Sequence, residues 1–240
     1  MTGPVPAPDG RPRPRWGFVD VAVTLGGAIL LGTLTAVALL GVEGSASTAQ
    51  AKAWGLVVGL VVPWVALAGW PLYASKRKGA GPVTDFGLRL RWRAALLGVA
   101  GGVGALAVAY AVAAIQVSIT GRTFDSAVGG VARDVASGSR VALVILALCT
   151  VVGAPVVEEL AFRGLTYGAF RLQGQSRALS VVWTALLFAM FHFEPVRLPV
   201  LLVLGLFLGA VRARTGSTSA SMVAHAVVNL PGALTILTLH

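Results

Sequence analysis

The 240-residue sequence is poor in charge and in cysteine. Only 12% of its residues are charged, about half the fraction usual in a soluble globular chain, and 56% are hydrophobic. The single cysteine, Cys149, lies inside an apolar segment, so an intrachain disulfide is excluded and a thiolate metal site is disfavoured. The apolar runs also lack the period-2 alternation of a membrane β-barrel. The chain is therefore predicted to be an all-α, polytopic transmembrane helical bundle.

Seven apolar runs divide the chain. A helix needs about 20 residues to cross a bilayer, and the runs cover residues 18–42, 54–74, 94–119, 140–172, 178–193, 198–211 and 217–239. We expect seven spans, with six or eight as alternatives because the last two runs are short or interrupted by polar residues. The fourth run is longer than one perpendicular crossing, and Gly153 with Pro155 predicts a break in it.

Positive charge is concentrated between alternate runs. The net charge is +10, but the basic residues do not interleave with aromatics along one face, so a nucleic-acid partner is not expected. They are instead interpreted as topology signals, and the groups on one side of the membrane are residues 11–15, residues 76–93, Arg171 with Arg177, and Arg212 with Arg214. This predicts a plasma-membrane protein with a disordered cytoplasmic tail at residues 1–16 and one integral membrane domain at residues 17–240.

Two adjacent carboxylates and an arginine interrupt the fourth run. Charged residues inside a membrane helix are costly and usually mark a function. Glu159 and Arg163 are four residues apart, so on a helix they share a face and can pair. Glu158 is turned away by about 100° and lacks that partner, which leaves it available for chemistry. The alternative is a salt-bridged charge cluster at a membrane surface.

Two histidines also lie in apolar runs. Phe188 and His192 share a helical face in the fifth run, as do His225 and Asn229 in the last. Each histidine alone could be a satisfied core residue or an interhelical hydrogen bond. Together with Glu158 they can form a water-activating site, which needs a base, a partner that orients the water, and donors for the developing oxyanion. Glu158 with His192 can supply the first pair, and His225 with Asn229 the donors.

These residues form three motifs in a fixed order. E-E-x-x-x-R (Glu158, Glu159, Arg163), F-x-x-x-H (Phe188, His192) and H-x-x-x-N (His225, Asn229) resemble the motifs of the CAAX protease and bacteriocin-processing family, also called CPBP or Abi. The resemblance covers about the last hundred residues, so the catalytic part is expected at about residues 140–239. It implies an intramembrane endopeptidase in which the first glutamate and first histidine activate water, the second histidine and the asparagine form the oxyanion site, and Glu159, Arg163 and Phe188 support that site.

The residues by themselves are compatible with a site that uses a metal ion and with one that does not. The resemblance implies a glutamate-type mechanism without metal. Glu158, His192 and His225 are nevertheless a familiar zinc ligand set with water in the fourth position, although the sequence has no H-E-x-x-H helix.

The substrate and two other function classes also stay open. A membrane-associated peptide or protein is the expected substrate, and the residue bias, with only three lysines, suggests a GC-rich bacterial gene in which prenylated substrates are less expected. The oligomeric state cannot be read from the sequence.

Two other function classes fit the same residues. They are a non-catalytic membrane immunity or scaffold protein of the same fold and a proton-coupled transporter, for which no inverted repeat is evident.

Overall fold

The computed structural model describes residues 14–42, 48–121, 133 and 139–238. The predicted loop around residues 120–139 and the first 13 residues of the predicted tail therefore lie largely outside the described residues. The helices are α1 Phe18–Val42, α2 Ala49–Val61, α3 Trp64–Lys78, α4 Pro82–Asp85, α5 Trp92–Thr120, α6 Arg140–Leu172, α7 Arg177–Phe191, α8 Leu198–Thr215 and α9 Thr218–Leu237, with a 3₁₀ turn at Pro195–Arg197.

The predicted helical membrane bundle is confirmed. Within the described residues, six helical stretches are long and apolar enough to cross a bilayer, and α2 and α3 count as one of these because they form a single stretch, Gln50–Lys78. The shorter apolar α7 corresponds to the fifth predicted run. At 15 residues, α7 is about 22 Å long and does not span a 30 Å hydrocarbon core by itself. The described residues therefore contain six helical stretches of full spanning length and one shorter apolar helix.

The expected break in the fourth run does not occur. Helix α6 continues from Arg140 to Leu172, and it accommodates the Gly153 and Pro155 region with a π-helical turn at Cys149–Gly153. There the N–H of Ala154 donates to the carbonyl of Cys149, five residues earlier instead of four. A second π-helical turn covers Leu160–Thr166. Such turns insert one residue into the α-helical repeat without ending the helix.

Glycines in α5 bring this helix close to α9. A Cβ on Gly98 would lie 2.5 Å from the carbonyl oxygen of Ala220, and one on Gly102 would lie 2.6 Å from that of Ala224. Small residues permit this approach between membrane helices, which associate through packing rather than a hydrophobic driving force. The packing fixes α9, which carries His225 and Asn229, against a helix from the first half of the chain.

The end of the bundle next to the predicted cytoplasmic loops is filled by aromatic side chains. Phe86, in the loop after α4, is fully buried, and its ring centroid lies 5.8 Å from that of Trp16, which is 4% exposed. These two rings pack with four buried residues of α3 and α6, and we call this group the basal plug: Trp16, Phe86, Ala74, Leu160, Leu165 and Ala169.

The loop that carries Phe86 is attached to the start of α9. Ser217 donates its hydroxyl to the carbonyl of Gly87 at 3.0 Å, and Ser219 donates to that of Leu88 at 2.9 Å. Gly87 has φ +64°, and a Cβ there would lie 2.3 Å from the Gly216 carbonyl oxygen, so only glycine fits at this position. The loop is thus fixed to the bundle by these hydrogen bonds and by the buried Phe86 side chain.

The close packing of α5 on α9 predicts that glycine positions differ in their tolerance of a methyl group. Gly102→Ala should lower stability by about 1–3 kcal/mol, because the rigid backbone of α9 must move. Gly26→Ala in α1 is the matched control, since a Cβ there meets no atom within 4 Å. Thermal unfolding in one detergent would measure both variants. Equal melting temperatures for the two would contradict the described packing.

Candidate active site

The two glutamates lie on a short α-helical segment of α6, Ala154–Glu159, between the two π-helical turns. The side chain of Glu159 is fully buried, whereas that of Glu158 is 17% exposed and lines a cavity of about 590 Å³. Adjacent helical positions point in directions about 100° apart. This difference in orientation separates a buried carboxylate from one that faces the cavity, as the spacing predicts.

Glu159 pairs with Arg163 inside the bundle. The Arg163 Nη1 lies 2.7 Å from Glu159 Oε1, and both side chains are completely buried. The Nη2 donates to the carbonyl of Gly205 in α8 at 3.1 Å, and the guanidinium lies 4.5 Å from the ring centroid of Phe188. The charge of Arg163 is therefore held by a carboxylate, a carbonyl dipole and an aromatic face, which are contributed by three helices.

His225 contacts both glutamates. Its Nδ1 lies 3.0 Å from Glu159 Oε1, and because an ionised carboxylate only accepts hydrogen bonds, Nδ1 is the donor. The opposite ring nitrogen, Nε2, lies 4.0 Å from Glu158 Oε2. This distance is too long for a direct hydrogen bond, but one water molecule could contact both atoms. The spacing of the motifs predicted a partner of Glu159 on its own helix but not this contact from α9.

His192 lies directly after the last residue of α7. Its Nδ1 is 2.7 Å from the carbonyl oxygen of Phe188, and its ring centroid is 4.6 Å from the Phe188 ring. The carbonyl accepts, so Nδ1 carries the hydrogen and Nε2 is left as an acceptor. His192 lines the same cavity as Glu158 and His225. Phe188 thus fixes His192 through both its carbonyl and its ring.

Asn229 is held by a carbonyl that the π-helical turn leaves without a helical donor. Its Nδ2 donates to the Thr150 carbonyl oxygen at 2.9 Å. In a regular helix that oxygen would accept from Ala154, whose N–H donates to Cys149 instead, and the following residue, Pro155, has no N–H. A carboxamide nitrogen has two hydrogens, so one remains for the cavity, which Asn229 also lines.

The cavity brings the four predicted catalytic residues together from α6, α7 and α9. Glu158, His192, His225 and Asn229 all line it, while Glu159 and Arg163 lie behind it. Its remaining wall is largely apolar and comes mainly from α5 and α8, with an ion pair between Arg197 and Glu194 among the lining residues. Sequence reasoning missed Thr150 and Gly205, because both act through backbone carbonyls that no side-chain motif reveals.

The site residues include potential metal ligands, namely the carboxylate of Glu158 and the imidazoles of His192 and His225. Among the residues that the structure describes, no three histidine, cysteine, aspartate or glutamate side chains are grouped so that they could hold a metal ion. In both histidines Nδ1 is hydrogen-bonded, in His225 to Glu159 and in His192 to the Phe188 carbonyl, so Nε2 is the ring nitrogen that each presents to the cavity.

The buried ion pair predicts that the two neighbouring glutamates differ in their structural importance. Glu159→Ala leaves Arg163 buried without its counter-charge, which should destabilise the fold by about 3–5 kcal/mol. Glu158→Ala, one residue away, should change the melting temperature little, because Glu158 Oε2 has no hydrogen-bond partner within the described part of the chain. Melting in detergent and folded yield would measure both. Glu159→Ala with parental stability would contradict this assignment.

Comparison with known proteins covers the same part of the chain as the motifs. Residues 140–231 match the family model described as "Rce1-like: Type II CAAX prenyl endopeptidase Rce1-like". No curated protein and no solved structure gives a match to the chain. The matched range contains every residue of the three motifs, so the resemblance to the CPBP family is confirmed. Residues 140–231 of this polytopic membrane protein are therefore a domain of the CAAX protease family.

Proposed function

We propose that the protein is an intramembrane endopeptidase that hydrolyses a peptide bond in a membrane-associated protein or peptide. The proposal rests on the position of the Glu158 carboxylate. This carboxylate lines the cavity next to two imidazoles, and its Oε2 is buried without a hydrogen-bond partner among the described residues. A buried polar atom without a partner costs free energy, so its retention next to a cavity favours a functional role. The match to a family of proteases points to the same reaction.

In the proposed mechanism, Glu158 is the general base. A water molecule in the cavity donates one hydrogen to the Glu158 carboxylate and the other to His192 Nε2, which is an acceptor because Nδ1 carries the ring hydrogen. Glu158 removes a proton as the water oxygen attacks the peptide carbonyl carbon. The same proton then passes to the leaving amine nitrogen as the C–N bond breaks, which returns Glu158 to its starting state.

His225 and Asn229 are proposed to stabilise the oxyanion. Asn229 has one Nδ2 hydrogen beyond the one donated to Thr150. His225 donates Nδ1–H to Glu159, so it needs a second hydrogen, on Nε2, to reach the oxyanion. The ring is then cationic, and the two positive charges of His225 and Arg163 are offset by the two carboxylates, Glu159 and Glu158. Donors that are fixed before the reaction lower the barrier because they do not have to reorganise.

Replacing the proposed base tests the enzyme function directly. Glu158→Gln keeps the shape and hydrogen-bonding capacity of the side chain but cannot accept the proton, so turnover should fall by a factor on the order of 10²–10⁴. The measurement is quantitative proteomics of membranes from cells that express the parent or the variant. Proteins cleaved only with the parent are the substrates, and their cleavage rate is then measured with purified protein.

The same experiment separates the enzyme from its alternatives. Thermal melting is the control for folding, and Glu158→Gln should melt near the parental temperature because the buried pair of Glu159 with Arg163 is kept. His192→Ala should also lose turnover. Equal cleavage by the parent and Glu158→Gln would exclude Glu158 as the base, and identical membrane proteomes would favour a non-catalytic protein.

Metal dependence distinguishes the proposed mechanism from a zinc mechanism. Purified protein should contain no stoichiometric zinc, and a chelator should leave the cleavage rate unchanged, because a carboxylate rather than a metal ion activates the water. Metal content would be measured by mass spectrometry on the protein used for cleavage. One zinc per chain, lost and restored together with activity, would overturn the glutamate mechanism in favour of ligation by Glu158, His192 and His225.

A further inference from the structure

The cavity lies in one half of the bundle. Helix α5 contributes residues from Leu106 onward, and α9 contributes residues from His225 onward, whereas the antiparallel α8 contributes only its first half, up to Leu204. In α6 the lining residues end at Glu158, near the middle of the helix, and in α7 they begin at Phe188. Each of these five helices therefore contributes lining residues from the same end of the bundle or from its middle.

That half is the one away from the concentrated positive charge. The basic clusters lie at the start of α5, the ends of α3, α6 and α8, and the start of α7, and their residues are Lys76, Arg77, Lys78, Arg89, Arg91, Arg93, Arg171, Arg177, Arg212 and Arg214. None of these side chains lines the cavity. By the positive-inside rule, the basic end faces the cytoplasm, so the cavity lies towards the extracytoplasmic side.

Packed side chains close the end of the bundle that carries the basic clusters. The basal plug buries Phe86 and Trp16 completely or almost completely. A Cβ on Gly164 would lie 2.9 Å from the Phe86 ring, so this ring packs directly on the α6 backbone next to Arg163. Between the plug and the cavity lie Glu159 and Arg163, both fully buried. These layers leave the cytoplasmic end of the bundle packed.

The shortness of α7 gives water a route to the site from the extracytoplasmic end of the bundle. With 15 residues, α7 extends about 22 Å from Arg177, and His192 follows directly. With Arg177 placed at the cytoplasmic surface of a hydrocarbon core about 30 Å thick, the turn that connects α7 to α8 lies several ångström below the opposite surface. Glu194 and Arg197, both in this connection, line the cavity as an ion pair. Charged side chains at this depth require water or each other.

From this arrangement we infer that the site receives its substrates from the extracytoplasmic side of the membrane. The substrate class is an exported or membrane-anchored polypeptide whose flexible segment lies outside the cytoplasm, rather than the cytoplasmic tail of a lipid-anchored protein. This inference deepens the proposed function and rests on it, since it identifies the compartment of the cleaved segment. It also rests on the orientation that the basic residues predict.

Thiol labelling tests the accessible side of the cavity in the full-length protein. Cys149→Ser provides a background without cysteine, and Ala113→Cys places one thiol on the cavity wall. Ala114→Cys is the matched control, because Ala114 is exposed on the outside of the same helix and does not line the cavity. Thr84→Cys reports the basic end, where Thr84 is exposed. The probe is a charged, membrane-impermeant maleimide applied to spheroplasts before and after permeabilisation.

The expected result is a difference between the two ends. In intact spheroplasts, Ala113→Cys should react at least roughly tenfold faster than Thr84→Cys, because the bilayer excludes a charged reagent, and Thr84→Cys should react fully only after permeabilisation. Ala114→Cys should react more slowly than Ala113→Cys, because a thiol in apolar surroundings ionises poorly. Reaction of Ala113→Cys only after permeabilisation, or from neither side, would overturn the inference.

A second readout connects accessibility to cleavage. Modification of Ala113→Cys with a bulky maleimide should block cleavage of the substrates found by proteomics, whereas modified Ala114→Cys should stay active. The mapped cleavage sites should lie on extracytoplasmic segments, and sites on cytoplasmic segments would overturn the inference. External labelling of Ala113→Cys without any Glu158-dependent cleavage would instead refute the proposed function and leave the accessible side established.

Discussion

The buried ion pair between Glu159 and Arg163 is the contact on which the arrangement of the site depends. Neither charge could remain in an apolar bundle without the other, because the cost of removing an ion from water is several kcal/mol. The pair also reaches beyond its own helix, since Arg163 donates to Gly205 in α8 and Glu159 accepts from His225 in α9. One local pair therefore sets the relative positions of three helices and the orientation of one imidazole.

Local spacing explains why part of the site could be predicted. Residues four apart on a helix share a face, so the Glu159–Arg163 pair and the separate orientation of Glu158 follow from the sequence. The helices themselves follow from long apolar runs, and their ends agree with the predicted runs to within a few residues. The contacts of His225 with Glu159 and of Asn229 with Thr150 join residues 66 and 79 positions apart. Such contacts depend on how helices pack, which hydrophobicity alone does not determine.

The fourth run shows a different limit of prediction. Gly153 and Pro155 weaken the regular hydrogen-bond pattern of a helix, and a break was expected on that basis. A π-helical turn satisfies the same local constraint with one extra residue and without ending the helix. Which solution forms is decided by the neighbours, since α9 supplies the donor that the freed carbonyl needs. The sequence signal thus located the irregularity correctly but not its form.

The proline that follows this turn restricts how the sequence can vary. Pro155 provides no N–H for Thr150, so the Asn229 carboxamide is the donor that satisfies this carbonyl. Any other residue at position 155 would bring an amide hydrogen that competes for the same oxygen. The two positions are therefore thermodynamically coupled: the energetic effect of losing the asparagine depends on whether the proline is present. A backbone irregularity in one helix in this way restricts a side chain in another.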